Sequence, residues 1–213
     1  MRKLIIAFVL MIPTVSFACE HVPFSQETET TYCKEYAVDV DGAAYLRHSE
    51  KNLEKNVARQ PMPNITGYYH SGYDKGHLIQ NILFRYSVEA NKASNNERNL
   101  RPQTAGFNRG IWRKLENYEG KLLKKHPHLI TIVGFTQVRT IGGLRVPQYY
   151  YRIMLDPDTL ESAAYVLKNK AATVLPSAVS IDFIESMTGR DFLRDLADDV
   201  ENVIEAREAD TLR

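Results

Sequence analysis

The stretch NLRPQTAGFNRGIWRKLE, Asn99–Glu116, opens the most strongly patterned segment of the chain. Phe107, Ile111, Leu115, Tyr118 and Leu122 step by four, four, three and four, which lays one apolar stripe along one helix face. The spacing predicts a helix over Phe107–Lys125, stopped by Pro127. On that helix Asn108, Trp112 and Glu116 recur at intervals of four. Asn108 and Glu116 are therefore expected on one side, about 12 Å apart along the axis. An amide carbonyl and a carboxylate are hard oxygen donors, suited to Mg²⁺ or a similar ion held largely through water. Asn108 alone would be an ordinary polar residue of a first helical turn.

A second stretch, SGYDKGHL at Ser71–Leu78, supplies what the first lacks. His77 carries the side chain best suited to take a proton near neutral pH. By itself, a histidine in a glycine-containing turn is more often a surface residue than a catalyst. Its value lies in the combination with Asn108 and Glu116.

Outward from these stretches, Tyr36–Tyr45 alternates as a strand interrupted at Asp41-Gly42. Asn52–Thr66, with Pro61 and Pro63, reads as irregular, and Tyr68–Leu78 as a loop entering a short strand. Leu129–Val138, Gln148–Leu155 and Glu161–Leu167 read as strands, and Ala178–Ile184 as a fourth. Gly189 is expected to open a terminal amphipathic helix from about Asp191. Strands mixed with a few helices, without a βαβ rhythm, predict an α+β fold with a mixed or antiparallel central sheet and flanking helices.

The 213 residues suit one ordinary domain, and 44% hydrophobic with 25% charged residues excludes disorder as the default. There is no internal repeat and no low-complexity tract. Residues 1–18, MRKLIIAFVLMIPTVSFA, have a basic start, an apolar run too short to span a bilayer comfortably, and a small-residue end. They read as a signal peptide cleaved after Ala18, which leaves 19–213 as one domain with its core at about 34–205. Periplasmic or fully secreted localisation follows, with no membrane attachment after cleavage. The two cysteines, Cys19 and Cys33, are then expected to form a structural disulfide. They lack both CxxC spacing and histidines at zinc-finger spacing.

The formal net charge is +1, and loss of Arg2 and Lys3 keeps it near zero, which argues against coating nucleic acid by bulk charge. The distribution is uneven. Arg98, Arg101, Arg109, Arg113, Lys114, Lys121, Lys124 and Lys125 crowd the middle, whereas Asp182–Asp210 holds ten acids and three bases. A one-sided field results if the two segments lie on different faces. The middle bases read as phosphate contacts in part. His126-Pro127-His128 reads as a helix end, Tyr149–Tyr151 as core strand, and Asp156, Asp158 and the C-terminal acids as a solvated helix face.

Taken together, the motifs resemble the DNA/RNA non-specific endonuclease family, secreted sugar-non-specific nucleases with a ββα-metal (His-Me finger) core. The family's Asp-Arg-Gly-His is matched by Asp74-Lys75-Gly76-His77. About thirty residues on, its Asn-x-Gly-x-Trp-x-x-Leu-Glu helix is matched by Asn108–Glu116. Asn99-Leu100-Arg101-Pro102-Gln103 matches its Asn-x-x-Pro-Gln element, and Val146–Leu155 and Phe183–Leu196 match its later segments. The likeness runs from about Gly67 to Leu196.

The resemblance implies His77 as general base and Asn108 as direct ligand of one Mg²⁺, or of Mn²⁺ or another divalent ion. It implies that Glu116 orients metal-bound water, that Asn99 bonds near His77 or the phosphate, and that Asp74 shapes the loop. Lys75, standing where the family has arginine, would neutralise phosphate charge as a point charge without the bidentate fork. Arg47 or Arg59 would fill a further arginine position, and Leu78-Ile79-Gln80 lacks the usual proline. The implied activity is hydrolysis of DNA and RNA with little sequence preference, giving 5′-phosphate ends, by a monomer or homodimer. The alternative is a non-catalytic nucleic-acid-binding protein, or a periplasmic interaction protein, on the same fold.

Overall fold

The computed structural model describes residues 31–33, 36–38, 42–193, 198–205 and 211–212. The expected signal peptide and the Cys19–Cys33 pairing lie outside the described residues.

Two adjacent strands, β6 (Ile130–Ile141) and β7 (Leu144–Leu155), form a long hairpin turned at Gly142-Gly143. Both glycines have positive φ, 56° and 80°, as a turn matching the right-handed strand twist demands. β1 (Thr31–Cys33), β2 (Tyr36–Val38) and β3 (Ala44–Arg47) extend the sheet beyond β6, and β8 (Ser162–Lys168) extends it beyond β7. The order is β1-β2-β3-β6-β7-β8, with antiparallel pairing throughout. β4 (Tyr73–His77) and β5 (Leu100–Thr104) make a separate antiparallel pair. The fold is α+β, and the central sheet is purely antiparallel.

Helices cover both faces of that sheet. One face holds Tyr36, Leu46, Val133, Tyr150 and Met154, packed with Phe107, Ile111, Trp112, Leu115 and Leu122. The other holds Tyr45, Ile132, Tyr151 and Ile153, packed with Ile181, Ile184, Phe192 and Ile204. Burial on both faces explains why β7 reads YYYRIML rather than alternating. Tyr150 and Tyr151 point to opposite faces and both are buried.

The expected helix Phe107–Lys125 is present in two parts. Phe107–Trp112 is wound as a π-helix, and α2 (Arg113–Leu122) continues it as an α-helix. α1 (Val88–Ser94) precedes β5, capped by the Ser87 hydroxyl, which accepts from the Ala90 N–H.

Three expectations are corrected. Ala178–Ile184 is not a strand: Val179 makes one isolated bridge to Ala164, and α3 (Ile181–Thr188) starts at once. Ser180 caps it by accepting from the Phe183 N–H, so alternation over seven residues was outweighed by a cap. Gly189 closes α3 in the left-handed conformation, φ 68°, rather than opening a helix. The terminal helix is described as α4 (Asp198–Glu205), with residues 194–197 outside the description. Asp156 and Asp158 lie between β7 and β8, not on a helix, and bond His126 Nδ1 at 2.6 Å and His128 Nδ1 at 2.8 Å. Nor are the C-terminal acids all solvated, because Glu205 is buried and its carboxyl is pushed up to about 8 by burial and by Glu185 and Glu201. No helix among the described residues is long and apolar enough to cross a membrane.

A buried charge network joins α2 to the sheet. Arg152 of β7 donates through Nη1 to Glu119 and through Nη2 to the Leu78 carbonyl at 2.9 Å. Its guanidinium carbon lies 4.6 Å from the Trp112 ring centroid. Glu119 also accepts from the Thr131 hydroxyl and meets His48 Nε2 at 3.3 Å. Burial alone would raise the Glu119 carboxyl, but Arg152 and His48 bring it down to about 2. Removing one partner strands a buried charge, whereas replacing both with apolar groups does not. Arg152→Met should therefore cost about 3–5 kcal/mol in urea unfolding. The double variant Arg152→Met/Glu119→Leu should recover most of it, and a double variant as unstable as the single one would contradict this account.

Candidate active site

The β4–β5 pair and the π-helical turn build one pocket. β4 lies against β5 with His77 opposite Leu100 and Gly76 opposite Arg101. Gly76 is needed for packing: a Cβ there would fall 2.1 Å from the Gln103 side chain. From the π-helical turn, the Trp112 indole Nε1 donates to the His77 carbonyl at the end of β4, at 3.2 Å. Trp112 is fully buried and stacks on Phe107, with ring centroids 5.3 Å apart. The winding then turns Asn108, Arg109, Arg113 and Glu116 toward His77, and with it they line a cavity of about 420 Å³. Asn108 and Glu116 share one side, as expected, but Trp112 does not share it and faces the core.

His77 is buried, and its Nε2 lies 2.9 Å from Asn95 Oδ1. The Asn95 amide nitrogen donates to the carbonyls of Gln60 and Pro61. Its Oδ1 must therefore accept, so Nε2 carries the proton and Nδ1 keeps the lone pair. Burial lowers the His77 pKa to about 4; the Asn95 bond opposes this and the nearby Arg59 charge adds to it. The ring is neutral at physiological pH, the state a base requires.

Asp74 receives a bidentate contact from Arg109, at 2.8 and 2.6 Å, and a 3.0 Å bond from the Asn108 amide nitrogen. Its carboxyl is held below the usual range, first by the Arg109 bond, against burial, and then by Asn108. The clamp orients Asn108 so that its carbonyl oxygen remains the free acceptor face. The Glu116 side chain is 15% exposed and 3.9 Å from Arg152. Burial pushes its carboxyl up to about 7; Arg152 offsets this in part and Glu119 adds to it. A half-buried carboxylate short of positive charge and a free amide oxygen on the same cavity wall are hard-oxygen donors that suit a hydrated divalent cation, one directly and one through water.

Lys75 lines the same cavity, and its Nζ donates to the Pro63 carbonyl at 2.7 Å. Of the two arginine candidates, Arg59 lines the cavity, whereas Arg47 lies in β3 opposite Ile130. Asn99 bonds near His77, as expected, but to the backbone that follows it rather than to the ring: its carbonyl accepts from the Leu78 N–H at 2.8 Å. It is fully buried behind the pocket, bonding both backbone groups of Ile79 and the Ser94 carbonyl. The asparagine that touches His77 is Asn95, which the sequence reading missed. In SNNERN, Ser94–Asn99, only the turn between α1 and β5 decides which amide reaches the ring. Arg85 and Gln80 also line the cavity and were not singled out.

The electrostatics are one-sided. Among the described residues, Arg59, Lys75, Arg85, Arg109 and Arg113 line a cavity whose one acid is Glu116. The acidic helices α3 and α4 pack on the opposite sheet face. A buried neutral imidazole, a hard-oxygen donor pair and a cationic wall can hold a phosphodiester and take a proton from water beside it.

Comparison with known proteins agrees with the geometry. The family model for DNA/RNA non-specific endonucleases matches residues 42–199. A nuclease of Nostoc sp. (strain PCC 7120) is 27% identical over 157 residues, which cover 66% of this chain and 57% of that protein. The mitochondrial nuclease 1 of Schizosaccharomyces pombe is 27% identical over 174 residues, 69% of this chain and 54% of that one. The chain thus spans little more than half the length of these relatives. The crystal structure of an EndoG/EndoGI complex, described as revealing the mechanism of EndoG inhibition, matches with a TM-score of 0.68 at 18% identity, over 76% of this chain and 84% of that one, and so shares the fold. With the motifs, the sheet order and a match that takes in more than half of its length, this chain belongs to the DNA/RNA non-specific endonuclease family.

Proposed function

We propose that the chain is an exported, metal-dependent endonuclease that hydrolyses DNA and RNA with little sequence preference and leaves 5′-phosphate ends. The observation that carries this reading is His77, neutral and fixed by Asn95 with its lone pair on Nδ1, in a cationic cavity with Asn108 and Glu116. His77 takes the proton of the attacking water. Arg59, Arg109 and Lys75 offset the charge of the diester, which otherwise repels the nucleophile. Asn108, clamped by Asp74, offers the direct oxygen ligand for a divalent ion, and Glu116 orients water around it. When bound, that ion, Mg²⁺ or Mn²⁺, supplies Lewis-acid charge to the phosphate and the leaving oxygen. Asn99 acts at one remove, by fixing the backbone that follows His77. Contacts aimed at the sugar–phosphate backbone carry no sequence information, which fits low specificity. The export component rests on the leader-like residues 1–18.

Plasmid and RNA digestion by the chain from Cys19 tests the reading. Cleavage should require a divalent ion and stop with excess chelator. His77→Ala should lower kcat by about 10²–10⁴-fold. Asn108→Ala should raise the metal concentration needed for half-maximal rate. No cleavage by the wild type over a range of ions and pH would sink the enzyme reading.

The pH profile gives a separate check. A base held at about 4 stays neutral as the pH falls past 6 and becomes protonated, and so inactive, only as the pH drops through its own pKa. At saturating metal the acid limb of kcat/KM, which reports the free enzyme, should therefore lie well below the ordinary histidine value of about 6.5. An acid limb at 6.5 that is lost in His77→Ala would overturn the account of His77 as a base held low by burial.

A further inference from the structure

The catalytic cavity has a neighbour. A second cavity of about 580 Å³ is bordered by Tyr68, Tyr69 and Tyr73 and shares Arg59, Lys75, Asn108 and Arg109 with the first. Its volume lies within the range of about 300–1,000 Å³ common for small-molecule sites. Its outer rim is the loop that leads into β4.

That loop is bonded to itself. Gly67, His70 and Gly72 all have positive φ, 91°, 53° and 78°. His70 is not a glycine, so its left-handed backbone persists only where the surroundings impose it. The Ser71 N–H and hydroxyl both donate to the Tyr68 carbonyl, and the Tyr73 N–H donates to the Ser71 hydroxyl. Out of this hydrogen-bonded turn stands Tyr69, 87% exposed, with its ring 4.0 Å from that of His70. A lone surface aromatic needs no explanation. An aromatic ring projected by a strained, hydrogen-bonded loop over a cavity that shares its cationic wall with the reaction centre does need one.

We propose that this second cavity is a nucleobase subsite: it takes the unstacked base of a nucleotide next to the scissile phosphate, seated on the Tyr69 ring. The subsite rests on the nuclease reading above and deepens it. Every base has a π-face, so stacking on tyrosine is tolerant of sequence. Arg59 and Arg109 sit between the two cavities, where the linking phosphates pass. A base enters only after leaving its own stack, which is easiest in a single strand. The substrate class favoured by this subsite is therefore single-stranded or unpaired DNA and RNA.

The test uses the full mature chain and single-stranded oligonucleotides carrying 2-aminopurine at successive positions. His77→Ala serves as the non-cleaving form for binding. At one position fluorescence should be quenched on binding. Tyr69→Ala should abolish that quench and raise KM for single strands by about 5- to 100-fold, with a smaller change in kcat. Tyr69→Phe and Tyr69→Trp should retain both. An abasic nucleotide at the same position should remove the difference between wild type and Tyr69→Ala, which a merely structural role would not do. Cleavage by the wild type with quench and KM unchanged in Tyr69→Ala would overturn the subsite and leave the nuclease reading standing. A Tyr69-dependent quench without any cleavage would do the reverse. Absence of both binding and cleavage would overturn the two together.

Discussion

The hydrogen bond from the Trp112 indole to the His77 carbonyl joins the two halves of the site. One half is a strand that ends in a buried imidazole. The other is a helical turn that carries an amide and a carboxylate. The bond forms because the turn is π-wound. Phe107 and Trp112, five residues apart, stack on each other and both enter the core. In a regular α-helix, residues at that spacing diverge around the axis. The wider turn lets the core claim Phe107, Ile111 and Trp112 while Asn108 and Arg109 stay on the cavity side. Such insertions recur at functional sites for this reason.

Beneath that turn the charges are arranged so that one carboxylate is satisfied and its neighbour is not. Arg152 pairs closely with Glu119 and lies 3.9 Å from Glu116. Two carboxylates sharing one guanidinium cannot be equally stabilised. Glu119 therefore serves the fold, and Glu116 retains an unmet demand for positive charge at the cavity wall. The acidic α3 and α4 lie across the sheet, where they do not cancel the cationic cleft.

Much of this was legible in the sequence, and the failures share a physical cause. The four-residue spacing located the helix and the joint placement of Asn108 and Glu116. It misplaced Trp112, because a π-turn leaves no mark in a pattern read at 3.6 residues per turn. A run rich in β-branched residues located β6, and short apolar stretches located β7 and β8, but the alternation over Ala178–Ile184 lost to the Ser180 cap, a local bond worth more than a short period. His77 and Lys75 were visible through their motif. Asn95, which fixes the tautomer of His77, was not, because its role depends on bonds to Gln60 and Pro61, distant in sequence. The choice of Arg59 over Arg47 was likewise a matter of tertiary placement. The N-terminal leader and the cysteine pair are sequence readings alone.

The partner of His77 is an amide, not a carboxylate, and this shapes the life of the proton in the proposed reaction. An amide fixes the orientation of the ring but brings no negative charge to stabilise an imidazolium. Buried as it is, and with Arg59 close by, the ring disfavours the protonated form. In the proposed reaction His77 is thus built as a relay rather than a store: a proton accepted at Nδ1 is held weakly, and passing it to solvent water returns the ring to its neutral resting form.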